Sequence, residues 1–209
     1  IGGEGNSIVL TSENTDKVLI VDTKMMASAK TMKKYIDTIG DNPEIIIVNT
    51  HDHMDHIQGN RYYPDSTLIT DDFTDEEWKK STGQKYTPDV RLKPLEEYRL
   101  AIGNEVVIIK NMGQAHTFND LIVYLTNRKI LITGDIIFLN THPVIIEAGG
   151  SDPDKWIDVL TSLLKSYPGS MVIPGHGDIS DESALTAVKD YFEDIRGAVG
   201  DKKKISYLL

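Results

Sequence analysis

The chain has 209 residues, 40% of them hydrophobic and 26% charged, with no cysteine and a formal net charge of -10. That composition suits one ordinary globular core and excludes disulfides, thiolate nucleophiles and cysteine-type zinc sites. The 32 acidic against 22 basic side chains argue against a nucleic-acid or membrane-surface partner, since the one basic run, Lys202 to Lys204, sits near the C-terminus. No apolar run approaches the ~20 residues of a membrane span, and no basic-then-apolar start reads as a signal peptide. With Ile1 at the first position, the chain reads as soluble, either cytoplasmic or exported after removal of a signal.

Short β-rich runs alternate with helical patterns along the chain. Ser7 to Leu10 and Val18 to Val21 read as two strands joined by the polar stretch Thr11 to Lys17. Met25, Ala29, Met32, Ile36 and Ile39 recur at helical spacing, and Gly40 supplies the stop. Glu44 to Val48 is a compact apolar strand of the kind buried on both faces, and it runs straight into Asn49-Thr50-His51. The stretch Asp71 to Pro94, charged and holding two prolines, reads as a mobile flap or a solvated surface excursion. Arg99 to Ile102 and Val106 to Ile109 bracket Gly103-Asn104, a two-residue hairpin turn. Leu121 to Leu125 and Ile130 to Thr133 form another antiparallel pair, turning at Asn127-Arg128.

Asp152-Pro153 marks a helix start, an N-cap followed by proline at the first helical position. Its buried stripe is Trp156, Ile157, Leu160, Leu163 and Leu164. Met171 to Ile173 is a last short strand and Glu182 to Arg196 a last helix. No low-complexity linker divides the two halves, so residues 1–209 read as a single domain.

Six histidines occur, and three of them fall in His51-Asp52-His53-Met54-Asp55-His56. The string follows a buried strand directly, where layered α/β folds commonly bind ligands. Alternate residues at a strand end, His51 and His53, project to one side, while Asp55 and His56 follow the turn and can face a second ion. So many donors exceed what one tetrahedral zinc takes. His116 in Gly113-Gln114-Ala115-His116-Thr117 and His176 in Pro174-Gly175-His176-Gly177 occupy glycine-flanked turns after β-like runs. Asp135 stands just past a strand, in Thr133-Gly134-Asp135. His142 either borders the cleft and contacts substrate or plays a surface or supporting role; Asn119 and Asp120 either orient a ligand imidazole or simply form the turn.

The string His51-x-His53-x-Asp55-His56, followed by His116, Thr-Gly-Asp135 and Pro-Gly-His176-Gly, resembles the metallo-β-lactamase superfamily over nearly the whole chain. Gly2-Gly3-Glu4-Gly5-Asn6 and the strand ending in Val21-Asp22 are similar to that family's first hairpin. The resemblance implies a four-layer αββα sandwich with metals at one edge between two sheets. It implies that His51, His53 and His116 bind one ion, that Asp55, His56 and His176 bind a second, and that Asp135 bridges them. Antibiotic-hydrolysing members usually carry Cys or Ser where this chain has Asp135; the bridging Asp is similar to glyoxalase II, lactonases and the phosphodiesterase branch.

The implied function is a metal-dependent hydrolase with two divalent ions, Zn2+ ahead of Mn, Fe or Co, acting on a small-molecule substrate. Two such ions with Asp55, Asp135 and a bridging hydroxide leave the centre at about +1, and coordination lowers a water's pKa from about 15.7 to about 7. That hydroxide is expected to attack an ester, thioester, lactone or amide-like carbonyl. Asp55 then orients the nucleophile and passes a proton to the leaving group, as the catalytic residue. The alternatives are a phosphodiesterase on the same dinuclear site, a mononuclear iron oxidoreductase on the same scaffold, and a non-catalytic binding module with a closed metal site.

Overall fold

The computed structural model describes residues 5–85 and 87–199; the start at Ile1, Gly2-Gly3-Glu4 and the run Lys202 to Lys204 lie outside them. In chain order the regular elements are β1 (Ile8–Leu10), β2 (Lys17–Val21), α1 (Met26–Ile36), β3 (Glu44–Val48), α2 (Met54–Ile57), β4 (Thr67–Asp71), α3 (Asp75–Thr82) and β5 (Val90–Leu92). The second half contributes β6 (Glu97–Ile102), β7 (Glu105–Asn111), β8 (Leu121–Leu125), β9 (Ile130–Phe138), α4 (Pro153–Ser166), β10 (Met171–His176), β11 (Ser180–Asp181) and α5 (Ser183–Val199).

Strands β1 to β5 form one sheet in sequence order, antiparallel at β1–β2 and parallel from β2 to β5. The other sheet runs β11-β10-β9-β8-β7-β6, with a single parallel pair at β9–β10. The period-two alternation of side chains along a strand sorts the apolar residues into three cores. Leu19, Val21, Ile46 and Val48 face Val107, Ile109, Val123 and Ile132 between the sheets. On the outer side of the first sheet Val18, Ile20 and Ile47 meet Ile36 of α1 and Trp78 of α3. On the outer side of the second, Ile122, Leu131 and Val172 meet Trp156 and Leu160 of α4 and Leu185 and Phe192 of α5. Three apolar interlayers between two sheets and two helical layers make an αββα sandwich.

Most of the patterned stretches fold as their spacing dictates. β3 spans the same residues as the apolar run, and Ile102 pairs with Glu105 across a hairpin whose Gly103 sits at φ +60. Asp152 caps α4 by accepting from Asp154 N and Lys155 N, both at 3.2 Å. Two readings need correction. The stretch Asp71 to Pro94 is not a flap: α3 packs the fully buried Trp78 against the first sheet, and β5 completes that sheet's edge. Its signal was Thr74-x-x-Glu77, a reciprocal capping box, followed by a Gly83 C-cap at φ +65. The helix buries only Trp78 and Thr82, too few apolar positions to show a stripe. Asp135 lies inside β9 rather than beyond a strand, because β9 continues to Phe138.

Candidate metal centre

Seven donors converge at one edge of the sandwich, from both sheets. The end of β3 delivers His51 and His53, α2 delivers Asp55 and His56, the β7–β8 connection His116, β9 Asp135 and the end of β10 His176. They fall into two sets, His51, His53, His116 and Asp135 in one and Asp55, His56 and His176 in the other; within each, one atom per residue lies within 4.8 Å of the rest. Asp135 joins the sets. Its Oδ2 lies 3.7 Å from His51 Nε2, 3.4 Å from His116 Nε2 and 3.3 Å from His176 Nε2, and its Oδ1 is 3.1 Å from His56 Nε2. His56 Nε2 and His176 Nε2 stand 3.6 and 3.3 Å from Asp55 Oδ2.

Backbone geometry brings that carboxylate to the middle. The pairing of β9 with β10 breaks register between Ile173 and His176. Gly134 adopts φ +52 there, a left-handed conformation that glycine enters without steric cost. A Cβ on Gly175 would lie 2.0 Å from Asp135 Oδ1, so only glycine leaves room for it.

Hydrogen bonds fix which ring nitrogens face inward. Asp22, buried at the end of β2, accepts from His56 Nδ1 at 2.7 Å, from Thr50 Oγ1 at 2.8 Å and from Thr50 N at 2.8 Å. Because the Thr50 hydroxyl proton goes to Asp22, its oxygen is left to accept from His51 Nδ1 at 3.0 Å. One carboxylate thus holds His51 and His56, one from each set, with Nε2 pointing inward. The Val144 carbonyl does the same for His116, accepting from Nδ1 at 3.1 Å. His116 Nε2 then meets His53 Nδ1 at 3.0 Å, two ring nitrogens aimed at one point.

Asp120, expected either to orient an imidazole or to form the turn, forms the turn. It accepts from Ala115 N, Thr117 N and Thr117 Oγ1, holding the backbone on either side of His116. Asn119 Oδ1 accepts from Asn111 Nδ2 at 3.5 Å in the same loop. His142 is exposed, with its Nδ1 3.1 Å from the Tyr191 hydroxyl of α5. Asp22, Thr50 and the Val144 carbonyl escaped the sequence reading. Asp22 carried a faint signal, a polar residue closing an apolar strand; a backbone carbonyl carries none.

The donor set fits divalent cations. Among the described residues His51 Nε2, His56 Nε2 and Asp135 Oδ1 are buried without a hydrogen bond, the last two only facing each other at 3.1 Å, a costly state for polar atoms unless an ion occupies the space they face. Nitrogen and oxygen donors without sulfur suit Zn, Mn, Fe or Co. Without an ion the protein holds protons there instead. Burial opposes charge on His176, but hydrogen bonds to Asp135 and Asp55 outweigh it and push its pKa up to about 9. His56 is likewise raised well above the ordinary imidazole value, burial being overcome by Asp135 and Asp22. Burial depresses His51, and brings His116 down to about 4.

A raised imidazole keeps its proton below its folded pKa, so a cation must displace that proton; a depressed one presents a free lone pair. Binding through His51 and His116 should depend weakly on pH, while binding through His56 and His176 should strengthen as the pH rises toward about 9, where His176 loses its proton. Zinc titrations against a chelator at about pH 6 and about pH 8.5 check this. Two sites with the same pH slope would contradict it.

The comparisons with known proteins agree with this geometry. The family model of the metallo-β-lactamase superfamily matches residues 1–176. A metallo-β-lactamase type 2 of Bacillus cereus is 23% identical over 190 residues, covering 88% of this chain and 68% of the relative. One from Elizabethkingia meningoseptica is 24% identical over 153 residues, covering 70% and 58%. Among solved structures, a metallo-β-lactamase from Pontibacter korlensis superposes with a TM-score of 0.77 at 22% identity, over 91% of this chain and 87% of that one. The DIM-1 metallo-β-lactamase exposed to ceftazidime gives 0.75 at 26% identity, over 91% and 85%.

Sandwich, donor sets and relatives together define a metal-dependent hydrolase. The chain belongs to the metallo-β-lactamase superfamily.

Proposed function

We propose that this protein is a dinuclear zinc hydrolase that cleaves an ester, thioester, lactone or amide-like bond of a small molecule, and that residues 1–209 form one domain of this kind. The observation that carries the reading is the convergence of three buried atoms that make no hydrogen bond among the described residues, His51 Nε2, His56 Nε2 and Asp135 Oδ1, at the junction of two donor sets. In this reading His51, His53 and His116 hold one ion, Asp55, His56 and His176 the other, and Asp135 is shared. Ions held there supply a water of lowered pKa and electrophilic stabilisation of a developing oxyanion.

The chain's own residues do the rest. Asp22 and Thr50 keep the inward nitrogens of His51 and His56 free of protons once loaded. Asp135, with its side chain 4% exposed, is walled in; Asp55, at 21%, is open to solvent and is anchored by a hydrogen bond from Gly5 N to Oδ2. Asp55 therefore suits orienting the attacking water and returning a proton to the leaving group.

The test is a panel of chromogenic esters, thioesters, lactones and amides on zinc-loaded protein, with chelation and zinc restoration. Turnover that is lost and restored with zinc supports the reading; turnover of a phosphodiester alone, or activity requiring iron, overturns it. Asp55→Asn should lower turnover by about 10²–10⁴-fold when compared with wild type at matched metal content. Wild-type turnover in the fully metallated variant would remove Asp55 from that role.

β-Lactam amide cleavage is a second reading, favoured by the names of the relatives. Asp135 in place of the usual Cys or Ser weighs against it.

A further inference from the structure

A cleft of about 530 Å³ opens beside His53, walled by the end of β4, α3 and the loop following His116. Its lining is acidic and aromatic, with Asp52, Asp71 and Asp72 on one hand and Phe73 and Phe118 on the other. Most of its polar groups are already engaged. Glu77 accepts from Thr74 N and Thr74 Oγ1 in the α3 capping box, and Asp52 accepts from Ser81 Oγ. Asp71 differs. It is 4% exposed, and among the described residues no other residue donates a hydrogen bond to its carboxylate or pairs with it.

Its own backbone amide is the sole donor that faces it among the described residues, whereas a buried carboxylate that served only the fold would be given donors from its neighbours, because burying a polar group with too few costs about 2–7 kcal/mol on transfer scales, and more for a charge. Here its charged neighbours are of like sign. Burial first, then Asp52 and Asp120, push Asp71 well above the usual carboxylate range. Lys80 is the basic side chain of the lining; it is exposed, and among the described residues it makes no ion pair. The aromatic side of the cleft is also unspent. Phe118 is 62% exposed, an unusual position for a large apolar ring, and Phe73 is half-buried against Trp78. Carboxylates beside aromatic faces make the chemical environment that recognises an organic ammonium, through charge and through the ring quadrupole together.

We propose that this cleft is the subsite for a positively charged ammonium group on the substrate, seated against the Asp71 carboxylate and the Phe73 and Phe118 rings. The assignment rests on the hydrolase reading of the neighbouring centre, and it gives that centre a substrate class: small molecules whose scissile carbonyl lies a short span from an amine. It also sets the class refused. A carboxylate-bearing substrate brings a further negative charge to a cleft already lined by Asp52, Asp71, Asp72 and Glu77, and is repelled.

The experiment has a binding arm and a turnover arm. Benzylammonium and its neutral counterpart benzyl alcohol are titrated into the protein by calorimetry. The para-nitrophenyl esters of para-(aminomethyl)benzoate and para-ethylbenzoate, which differ only in an ammonium for a methyl, are compared on zinc-loaded protein. Wild type should bind benzylammonium at least about tenfold more tightly than benzyl alcohol and prefer the cationic ester about tenfold in kcat/KM. In Asp71→Asn both ratios should fall to near one. Because the substitution neutralises an unpaired buried acid without changing its shape, its melting temperature should match or exceed that of wild type. Phe118→Ala, an exposed position whose loss does not threaten the fold, should weaken benzylammonium several-fold.

Equal binding of the two probes by wild type, or ratios unchanged in Asp71→Asn, overturns the subsite. Selective benzylammonium binding that depends on Asp71, with neither ester turned over, supports the subsite and counts against the ester-hydrolase reading. Turnover of both esters at equal rates overturns the subsite and leaves the hydrolase reading standing.

Discussion

Asp135→Asn should reduce hydrolysis on the order of 10³-fold and leave the protein unable to hold its second ion. The size of the effect follows from position. Among the described residues Asp135 is the carboxylate within 3.7 Å of histidines from both donor sets, touching His51 and His116 on one side and His56 and His176 on the other. An amide keeps the shape that Gly175 makes room for but surrenders the charge and one acceptor oxygen. Metal content and turnover should therefore fall together, with the fold intact by circular dichroism. A variant that keeps two ions and wild-type turnover would show that the shared carboxylate is not the junction of the site.

The second large effect belongs to a residue outside the seven. Asp22 sits at φ +59, a left-handed conformation that Asn adopts more readily than other non-glycine residues, so Asp22→Asn leaves the backbone unstrained. It removes the charge and offers one acceptor where three donors converge, from His56, Thr50 Oγ1 and Thr50 N. Groups that orient ligand imidazoles from behind typically account for about 10–100-fold in metal affinity, and a buried donor left unpaired costs about 1–3 kcal/mol. Zinc affinity should drop by that factor at both sets, since His51 is tied to Asp22 through Thr50, and the metal-free protein should melt earlier. A loss confined to the Asp55, His56 and His176 set would show that Thr50 holds His51 without help from Asp22.

These two residues also mark how far the sequence could be read. Asp135 was visible because Thr-Gly-Asp is local: a glycine free to turn, next to an acid, after an apolar run. What the run of residues could not show is that β9 continues through it to Phe138, since that depends on pairing with β10 across a register break. His51 to His56 were legible for the same local reason, and their division into two sets followed the family pattern. Asp22 acts across 34 residues on His56, and the Val144 carbonyl acts across 28 on His116; such partners are set by how the sheets stack, not by neighbours in sequence.

The fold divides in the same way. Runs with two buried faces, such as Glu44 to Val48, announce themselves by composition. α3 did not, because a helix that buries one tryptophan and caps itself with charges looks like solvated loop. That misreading hid the cleft as well, since Phe73, Lys80 and Ser81 line it from in and around that helix and Asp71 ends the strand before it.

The dinuclear centre is tested most directly by the metal content of the wild-type chain, measured by elemental analysis after reconstitution with zinc at about pH 8.5, where the raised imidazoles release their protons more readily than at neutral pH. Two ions per chain is the expected result. One ion, or none, would contradict the division of His51, His53, His116, Asp135, Asp55, His56 and His176 into two sites, and with it the hydrolytic chemistry proposed for them.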